Sequence, residues 1–453
     1  MNERGPNLPY GGYHQTWRGQ SDPLLTRVGP GSPCGEYLRR YWQPVAMTSE
    51  LGAEELGDAP LAVRILGEDL VLFRAGGGRL GLVHRNCPHR RASLEFGSCE
   101  ARGIRCCYHG WLFDVDGAIL EIPGQPEAVA EKLKARLHLG AYPVEEYRGL
   151  IFAYLGPPDL KPEFPVYDTF EIADQVMVPY KAPFACNWLQ VLDAIVDPIH
   201  TSFLHSSISR EQFSEGFGEV GEMKFHERPS GFLGANIRRV GDNVWVRVNE
   251  LVLPNFTQAG AAFAADGTQP RYFGRSAFSR WVVPRDDRET VCYAWANFGE
   301  RGDPPDCNTP EGPELIEQGE VFDRPYEERQ RFPADREACE GMGPITEHEK
   351  ENLVPSDKGI VLMRKRLRQL VRDLQAGREP AHAAAIRPGP LPTYGGDTVL
   401  NLPKIGRDDA AYLRRVGQAV MEIQFDAEEL AGAERDGVVI ERLRALEAEG
   451  LSE

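Results

Sequence analysis

The chain has 453 residues, enough for two or three domains and an ample core. Its formal charge of −17 and pI near 5.2 describe a polyanion and exclude nucleic acid as a natural partner. No run of about 18 apolar residues occurs, and the N-terminus (Met1 to Pro6) lacks an apolar stretch, so the reading is a cytoplasmic protein without a membrane anchor.

Residues 1–22 are polar and rich in Gly and Pro, as in a loose arm, and a helical stretch follows around Gly35–Trp42. From about residue 44 the pattern changes to short strands joined by Gly turns. Leu61, Val63 and Ile65 alternate, Leu70–Phe73 returns, and Leu80–His84 leads on after Gly76–Gly78. Leu150–Leu155 is a further strand that ends at Gly156-Pro-Pro158, a domain boundary signal. Beyond it, a helix near 188–205 is followed by strands, of which Val244–Val248 and Ser279–Val283 are clearest. Ser356-Asp357 opens a helix with apolar Ile360, Met363, Leu367, Leu370, Val371 and Leu374, closed by Gly377. The tail from about 405 reads as exposed charged helices. No G-x-G-x-x-G follows a strand, which argues against a dinucleotide-binding domain.

Nine dispersed cysteines, an odd number, indicate reduced thiols rather than a disulfide framework. Two of them stand in short mixed pairs, Cys87-Pro-His89 and Cys106-Cys-Tyr-His109, together C-x-H-x16-C-x2-H. Two thiolates and two imidazoles in two tight loops suit a Rieske [2Fe–2S] centre, with cysteines on one iron and histidines on the other. Imidazole in place of thiolate raises the potential to roughly −150 to +300 mV. Structural zinc accepts the same donors, but its pairs are more often like with like, C-x2-4-C and H-x3-5-H. Cys107 adjoins the motif; the C-x2-H spacing selects Cys106, and Cys107 reads as a buried small apolar side chain.

A second constellation is Asp197-x2-His200-x4-His205. Asp197 and His200 are neighbours on a helix, about 60° apart. His200 and His205 are about 140° apart on an ideal helix, so both face one metal only if the helix is distorted, as in a π-type turn. Two histidines and a carboxylate are the facial triad of mononuclear non-haem Fe(II) oxygenases. Asp197 lies in an otherwise apolar run, where a buried carboxylate needs partners.

Cys87-Pro-His-Arg90, Cys106-Cys-Tyr-His-Gly-Trp111 and Asp197-x2-His200-x4-His205 resemble the oxygenase (α) component of Rieske non-haem iron oxygenases. Leu25–Gly31, Arg39–Trp42, Asn187–Gln190, Gly341–Ile345 and Pro355–Asp357 are similar to the phthalate 4,5-dioxygenase-like branch, which includes O-demethylases of aromatic acids. The resemblance implies an α+β chain. An all-β Rieske [2Fe–2S] domain (44–158) follows an N-terminal arm and helix (1–43). A catalytic mononuclear-iron domain (159–453) then has a twisted antiparallel helix-grip sheet and a helical tail.

By the same resemblance Cys87, His89, Cys106 and His109 hold the cluster, and His200 and His205 hold the catalytic Fe(II). Asp197 bridges His200 to a Rieske histidine, His89 or His109, of the next subunit, which implies a head-to-tail trimer or a dimer of trimers. Asp335 is the third iron ligand, with Glu340 and Glu337 as fallbacks, and Asp193 is either a support of the site or a solvated surface group. Cys339 and His348 depart from the branch pattern near Asp335. A separate NAD(P)H-dependent flavin/iron–sulfur reductase supplies electrons, and O2 and an aromatic acid are the substrates. Hydroxylation of a phthalate-like acid is the main expectation, and O-demethylation of a methoxylated aromatic acid the alternative. A stand-alone Rieske ferredoxin needs only the β module, and a zinc-stabilised binding protein would be redox-silent. Arg238, Arg239 and Arg247 are candidates, by position, to meet a substrate carboxylate.

Overall fold

The computed structural model describes residues 9–12, 17–51, 59–208, 215–261, 266–304, 324–382, 389–406 and 408–451. Two short helices, α1 (Pro23–Thr26) and α2 (Pro33–Leu38), open with a proline and are capped by Asp22 and Ser32, whose side chains accept from Leu24 and Gly35 N–H. The expected helix over 35–42 is cut short. It ends at Leu38, and Trp42 already begins strand β1 (Trp42–Met47).

Three small antiparallel sheets follow. The strands are β2 (Leu61–Ile65), β3 (Glu68–Arg74), β4 (Leu80–His84), β5 (Ser98–Glu100), β6 (Gly103–Arg105), β7 (Leu112–Phe113), β8 (Ile119–Glu121), β9 (Ala141–Tyr142), β10 (Val144–Tyr147) and β11 (Leu150–Tyr154). They pair in the orders β1-β11-β10, β2-β3-β4-β9 and β5-β6-β7-β8. Val71, Phe73, Val83, Leu94, Ile104, Trp111 and Phe113 form one core around Cys87 and Cys106. The turns bring the apolar face of each short strand inward, as period-two alternation requires.

The larger sheet has nine strands: β12 (Val176–Phe184), β13 (Glu222–Arg228), β14 (Gly231–Val240), β15 (Asn243–Val252), β16 (Phe256–Ala259), β17 (Arg271–Arg275), β18 (Phe278–Pro284), β19 (Thr290–Phe298) and β20 (Gly396–Asn401). Their main order is β12-β19-β18-β16-β15-β14-β13, with β20 pairing β15 and β17. β20 carries no clear strand signal in the sequence. It is recruited by a long-range register, Val244↔Leu400 to Val248↔Gly396. The C-terminal tail is not a set of exposed helices as its charges suggest. The helices Asp409–Asp426 and Gly432–Glu449 bury Tyr412, Val416, Val420, Val439 and Leu443 against Ala235, Ile237, Val244, Val246 and Val248 of the sheet. Most charged residues cover the outward side of these amphipathic helices, and the buried Arg435 is the exception.

The second of these helices is also anchored by charge. Asp168, 7% exposed, accepts from Arg275 (2.8 Å), Thr393 and Arg435. Burial raises the carboxyl's pKa, but the two guanidinium groups outweigh this and hold it below its usual value. Asp168→Asn leaves two buried cations without their shared carboxylate and should cost about 3–5 kcal/mol of stability. Denaturant unfolding of the variant, with metal content matched to wild type, reads this loss.

Candidate metal centres

Cys87 and Cys106 are buried, at 1% and 3% exposure, whereas His89 and His109 are exposed at the tip. The two loops repeat one geometry. The N–H of Cys87 donates to Ala92 carbonyl, and Cys87 carbonyl accepts from Arg91 N–H. Likewise Cys106 N–H donates to Trp111 carbonyl, and Cys106 carbonyl accepts from Gly110 N–H. The residue four after each cysteine is left-handed, Arg91 at φ 64° and Gly110 at φ 68°. Each loop thus turns back on its cysteine and carries its histidine outward. The imidazoles of His89 and His109 lie 4.5 Å apart between centroids, and His89 stacks on Trp111 at 4.9 Å. An inner thiol pair and an outer imidazole pair fit a cluster with one iron held by each pair. Burial raises the Cys87 thiol to about 11 before any metal binds. Cys107 faces solvent, contrary to the sequence expectation, because the tight loop turns its side chain away from Cys106.

The second centre is built on a broken helix. α3 (Trp188–Ile195) is capped by Asn187, whose side chain accepts from Leu189 N–H. α4 (Ile199–Ser202) runs into a π-helical turn, Phe203–Ile208. The wider π turn brings the five-residue spacing of His200 and His205 onto one side, with ring centroids 5.4 Å apart. Asp335 comes from across the chain, at the first position of the helix Asp335–Gly341. Its Oδ1 lies 3.6 Å from Nε2 of both His200 and His205. These three form the one three-ligand His/Cys/Asp/Glu group among the described residues. Neighbouring ligands of an ion with ~2.1 Å bonds stand roughly 3 Å apart, so the set needs only a slight contraction to close on a metal. Burial pushes Asp335 up, but His205 and His200 outweigh it and hold the carboxylate ionised. Burial also lowers His200, against the opposing pull of Asp335 and Asp197.

The neighbouring carboxylates take other roles. Glu340 accepts from Ala185 N–H at 2.8 Å, and Glu337 pairs with Arg324 and accepts from Ala334 N–H. His348 Nδ1 accepts from Asp22 N–H, and Cys339 is buried. Asp197 is about a quarter exposed. Its Oδ1 accepts from Ile199 N–H, and its carbonyl meets His200 Nδ1, which orients the ring. Asp193 is not a solvated surface group: it is 8% exposed and sits in a two-pronged pair with Arg364, which also grips Glu351. Burial raises its carboxyl to about 6 despite that pair. Arg364 belongs to the helix Lys358–Gln375, whose Gly359 abuts Val196; a Cβ there would stand 2.3 Å from the Val196 carbonyl. This close approach holds the metal-site helix against the long one.

A cavity of about 60 Å³ opens beside the triad, walled by Ile195, Phe217, Phe278, Arg247, Asn249 and Arg280. Strand alternation decides the lining. On β15, Val244, Val246 and Val248 face the C-terminal helices, so Arg247 and Asn249 face the metal side. Arg247 is 8% exposed and donates to Asn249 Oδ1 and Gly260 carbonyl. Of the other arginine candidates, Arg238 is buried behind the site and donates to Thr201 Oγ1 and Glu219 carbonyl. Arg239 instead pairs with Asp409 on the C-terminal helix. Arg280 was not singled out in the sequence. Its alternation with Phe278 on β18 is the signal that could have found it.

The Rieske [2Fe-2S] domain family matches residues 41–143. The chain is 39% identical over 451 residues to the tert-butanol monooxygenase / tert-amyl alcohol desaturase oxygenase subunit of Aquincola tertiaricarbonis, covering 94% of this chain and 93% of that one. It is 39% identical to the phenoxybenzoate dioxygenase subunit alpha of Ectopseudomonas oleovorans, covering 82% and 90%. The phthalate 4,5-dioxygenase oxygenase subunit of Pseudomonas putida is a further relative, at 32% identity over 78% and 86%. In fold, the chain is similar to NdmB of Pseudomonas putida CBB5, with a TM-score of 0.60, 22% identity, and coverage of 79% and 96%. The chain belongs to the Rieske non-haem iron oxygenases, as the oxygenase (α) subunit, with the phthalate 4,5-dioxygenase-like branch among its relatives. It is therefore an oxidoreductase that carries a Rieske [2Fe–2S] cluster and a mononuclear non-haem iron. Among the described residues no helix is long and apolar enough to cross a membrane.

Proposed function

We propose that this oxygenase hydroxylates an aromatic acid of the phthalate type. The observation that carries the reading is the placement of Asp335 Oδ1 3.6 Å from both His200 and His205, at a cavity walled by the buried Arg247 and Arg280. Cys87, His89, Cys106 and His109 would hold the cluster, and His200, His205 and Asp335 the ferrous ion. When bound, these groups supply single-electron relay and activation of O2. The protein's own residues do the rest. Arg247 and Arg280 meet the substrate carboxylate, since guanidinium forks match carboxylates. Phe217 and Phe278 keep water from the reacting carbon, and Asp197 fixes His200 while presenting its carboxylate outward.

The exposed face of Asp197 suits a bridge to His89 or His109 of the partner subunit in a head-to-tail trimer. The apolar rings at the Rieske tip, Phe96 at 69% and Tyr108 at 54% exposure, suit burial in that interface. A separate NAD(P)H-dependent flavin/iron–sulfur reductase in the cytoplasm would feed the cluster. The same reading divides the chain at 44 and 158. Its support is the three small sheets, which run from Trp42 to Tyr154.

A second reading, oxidation of a small saturated alcohol, is favoured by the cavity volume. About 60 Å³ is less than half of the ~150 Å³ that accommodates benzene. A substrate panel with a generic reductase tests both: phthalates, benzoates, methoxylated aromatic acids and tert-butanol, with formaldehyde measured alongside hydroxylated product. Ring-hydroxylated acid is the expected product, and Arg247→Gln should raise its KM more than ~10-fold while alcohols are unaffected. Formaldehyde as the main product would assign O-demethylation. Turnover of tert-butanol alone would overturn the aromatic reading.

A further inference from the structure

Side chains on β16 and β18 alternate between the two faces of the large sheet. Ala259, Phe278 and Arg280 line the metal cavity, whereas Phe256 and Trp281 point to the opposite face. There a second, partly open cavity of about 140 Å³ is lined by the rings of Tyr41, Trp42, Tyr167, Phe256 and Trp281. Its volume is close to the ~150 Å³ of a cavity that binds benzene. Tyr167 stacks on Phe256 at 4.4 Å with 17° between planes, and Trp281 lies 4.4 Å from Phe256. These contacts present flat aromatic walls, the surface against which another ring packs well.

The lining is not purely apolar. It holds hydrogen-bond donors without acceptors. Tyr167 is 7% exposed, and its hydroxyl makes no hydrogen bond among the described residues. Arg366, on the helix Lys358–Gln375, lines the same cavity and forms no ion pair or hydrogen bond among them, with the Asp373 carboxylate of the same helix within electrostatic reach. The Tyr41 hydroxyl meets only that of Tyr37, at 3.3 Å, and lies within electrostatic reach of Arg366. Burial pushes the Tyr41 phenol up to about 12 and Tyr167 higher, so both remain donors at neutral pH. Among the described residues Glu163 is the one carboxylate on the lining; it is exposed and makes no ion pair with Arg366. Arg366 and Tyr41 are only partly buried, so these donors face the cavity and are open to a guest that supplies an acceptor.

We propose that this cavity is a second ligand site, on the face of the sheet opposite the metal centre, that takes a small aromatic carboxylate. The ring packs among the aromatic walls, and the carboxylate accepts from Arg366 and the Tyr41 and Tyr167 hydroxyls. The site does not depend on which substrate the metal cavity takes.

Benzoate is the probe, titrated into the full-length holoenzyme by equilibrium dialysis, with tryptophan fluorescence followed in parallel because Trp42 and Trp281 line the cavity. The expected result is a binding event that persists in Arg247→Gln and weakens at least ~10-fold in both Arg366→Gln and Tyr167→Phe. The second substitution removes one hydroxyl and keeps the packing. Benzoate binding that is unchanged in both variants, or lost entirely in Arg247→Gln, overturns the proposal. Binding that is insensitive to Arg247→Gln and sensitive to Arg366→Gln supports the second site even if the metal cavity takes no acid.

Discussion

Replacing Asp335 by alanine should lower the iron content from about three to about two atoms per chain, with acid-labile sulfide unchanged. Product formation should fall by at least ~100-fold. The expectation follows from charge as well as geometry. Among the described residues Asp335 is the one carboxylate that faces both imidazoles, at 3.6 Å from each, and it is largely buried. Without it the site offers two imidazole nitrogens and no carboxylate, too little to hold a dication against water. The intact cluster spectrum serves as the internal control for folding. If Asp335→Ala retains full iron, the third ligand lies elsewhere, and Glu337 and Glu340 are poor substitutes because Arg324, Ala334 and Ala185 already engage them.

Asp197→Asn should keep all metal and still lose steady-state turnover, by roughly 100-fold. The amide is isosteric, so its oxygen can still accept from Ile199 N–H and the helix entry is preserved. What disappears is the negative charge beside His200 and toward the surface. The cluster should still be reduced at the normal rate by the electron donor. Its reoxidation in the presence of substrate and O2 should become slow, which stopped-flow absorbance at the cluster band measures directly. A variant that reoxidises at the wild-type rate would remove Asp197 from the path between subunits. The two substitutions separate the roles of neighbouring carboxylates, since one empties a site and the other isolates it.

Most of the candidate metal ligands are legible because they are local in sequence. Cys87 with His89, and Cys106 with His109, sit in loops of a few residues whose shape depends on their own hydrogen bonds and left-handed turns. The five-residue spacing of His200 and His205 demanded a distorted helix, and a π-helical turn is present at Phe203–Ile208. Asp335 was another matter. No spacing rule links it to His205, and only likeness to a family pointed to it. Cys107 was misjudged because composition alone does not say which way a loop residue faces. The tail helices were misjudged because their outward charges outnumber a buried stripe that becomes evident only beside the sheet.

The amino-acid order by itself marked out the candidate iron ligands of this protein, their grouping in short pairs, and the place where a helix must distort to bring two of them together. Those properties depend on neighbours a few residues away, where backbone geometry leaves few choices. Tertiary structure alone decided the company these groups keep. It brought Asp335 to the histidines, turned Arg247 and Arg280 toward the metal and buried Asp193 against Arg364. It also opened an aromatic cavity on the sheet's other face. Such contacts join residues far apart in the chain, and they are selected by sheet register and core packing rather than by local pattern.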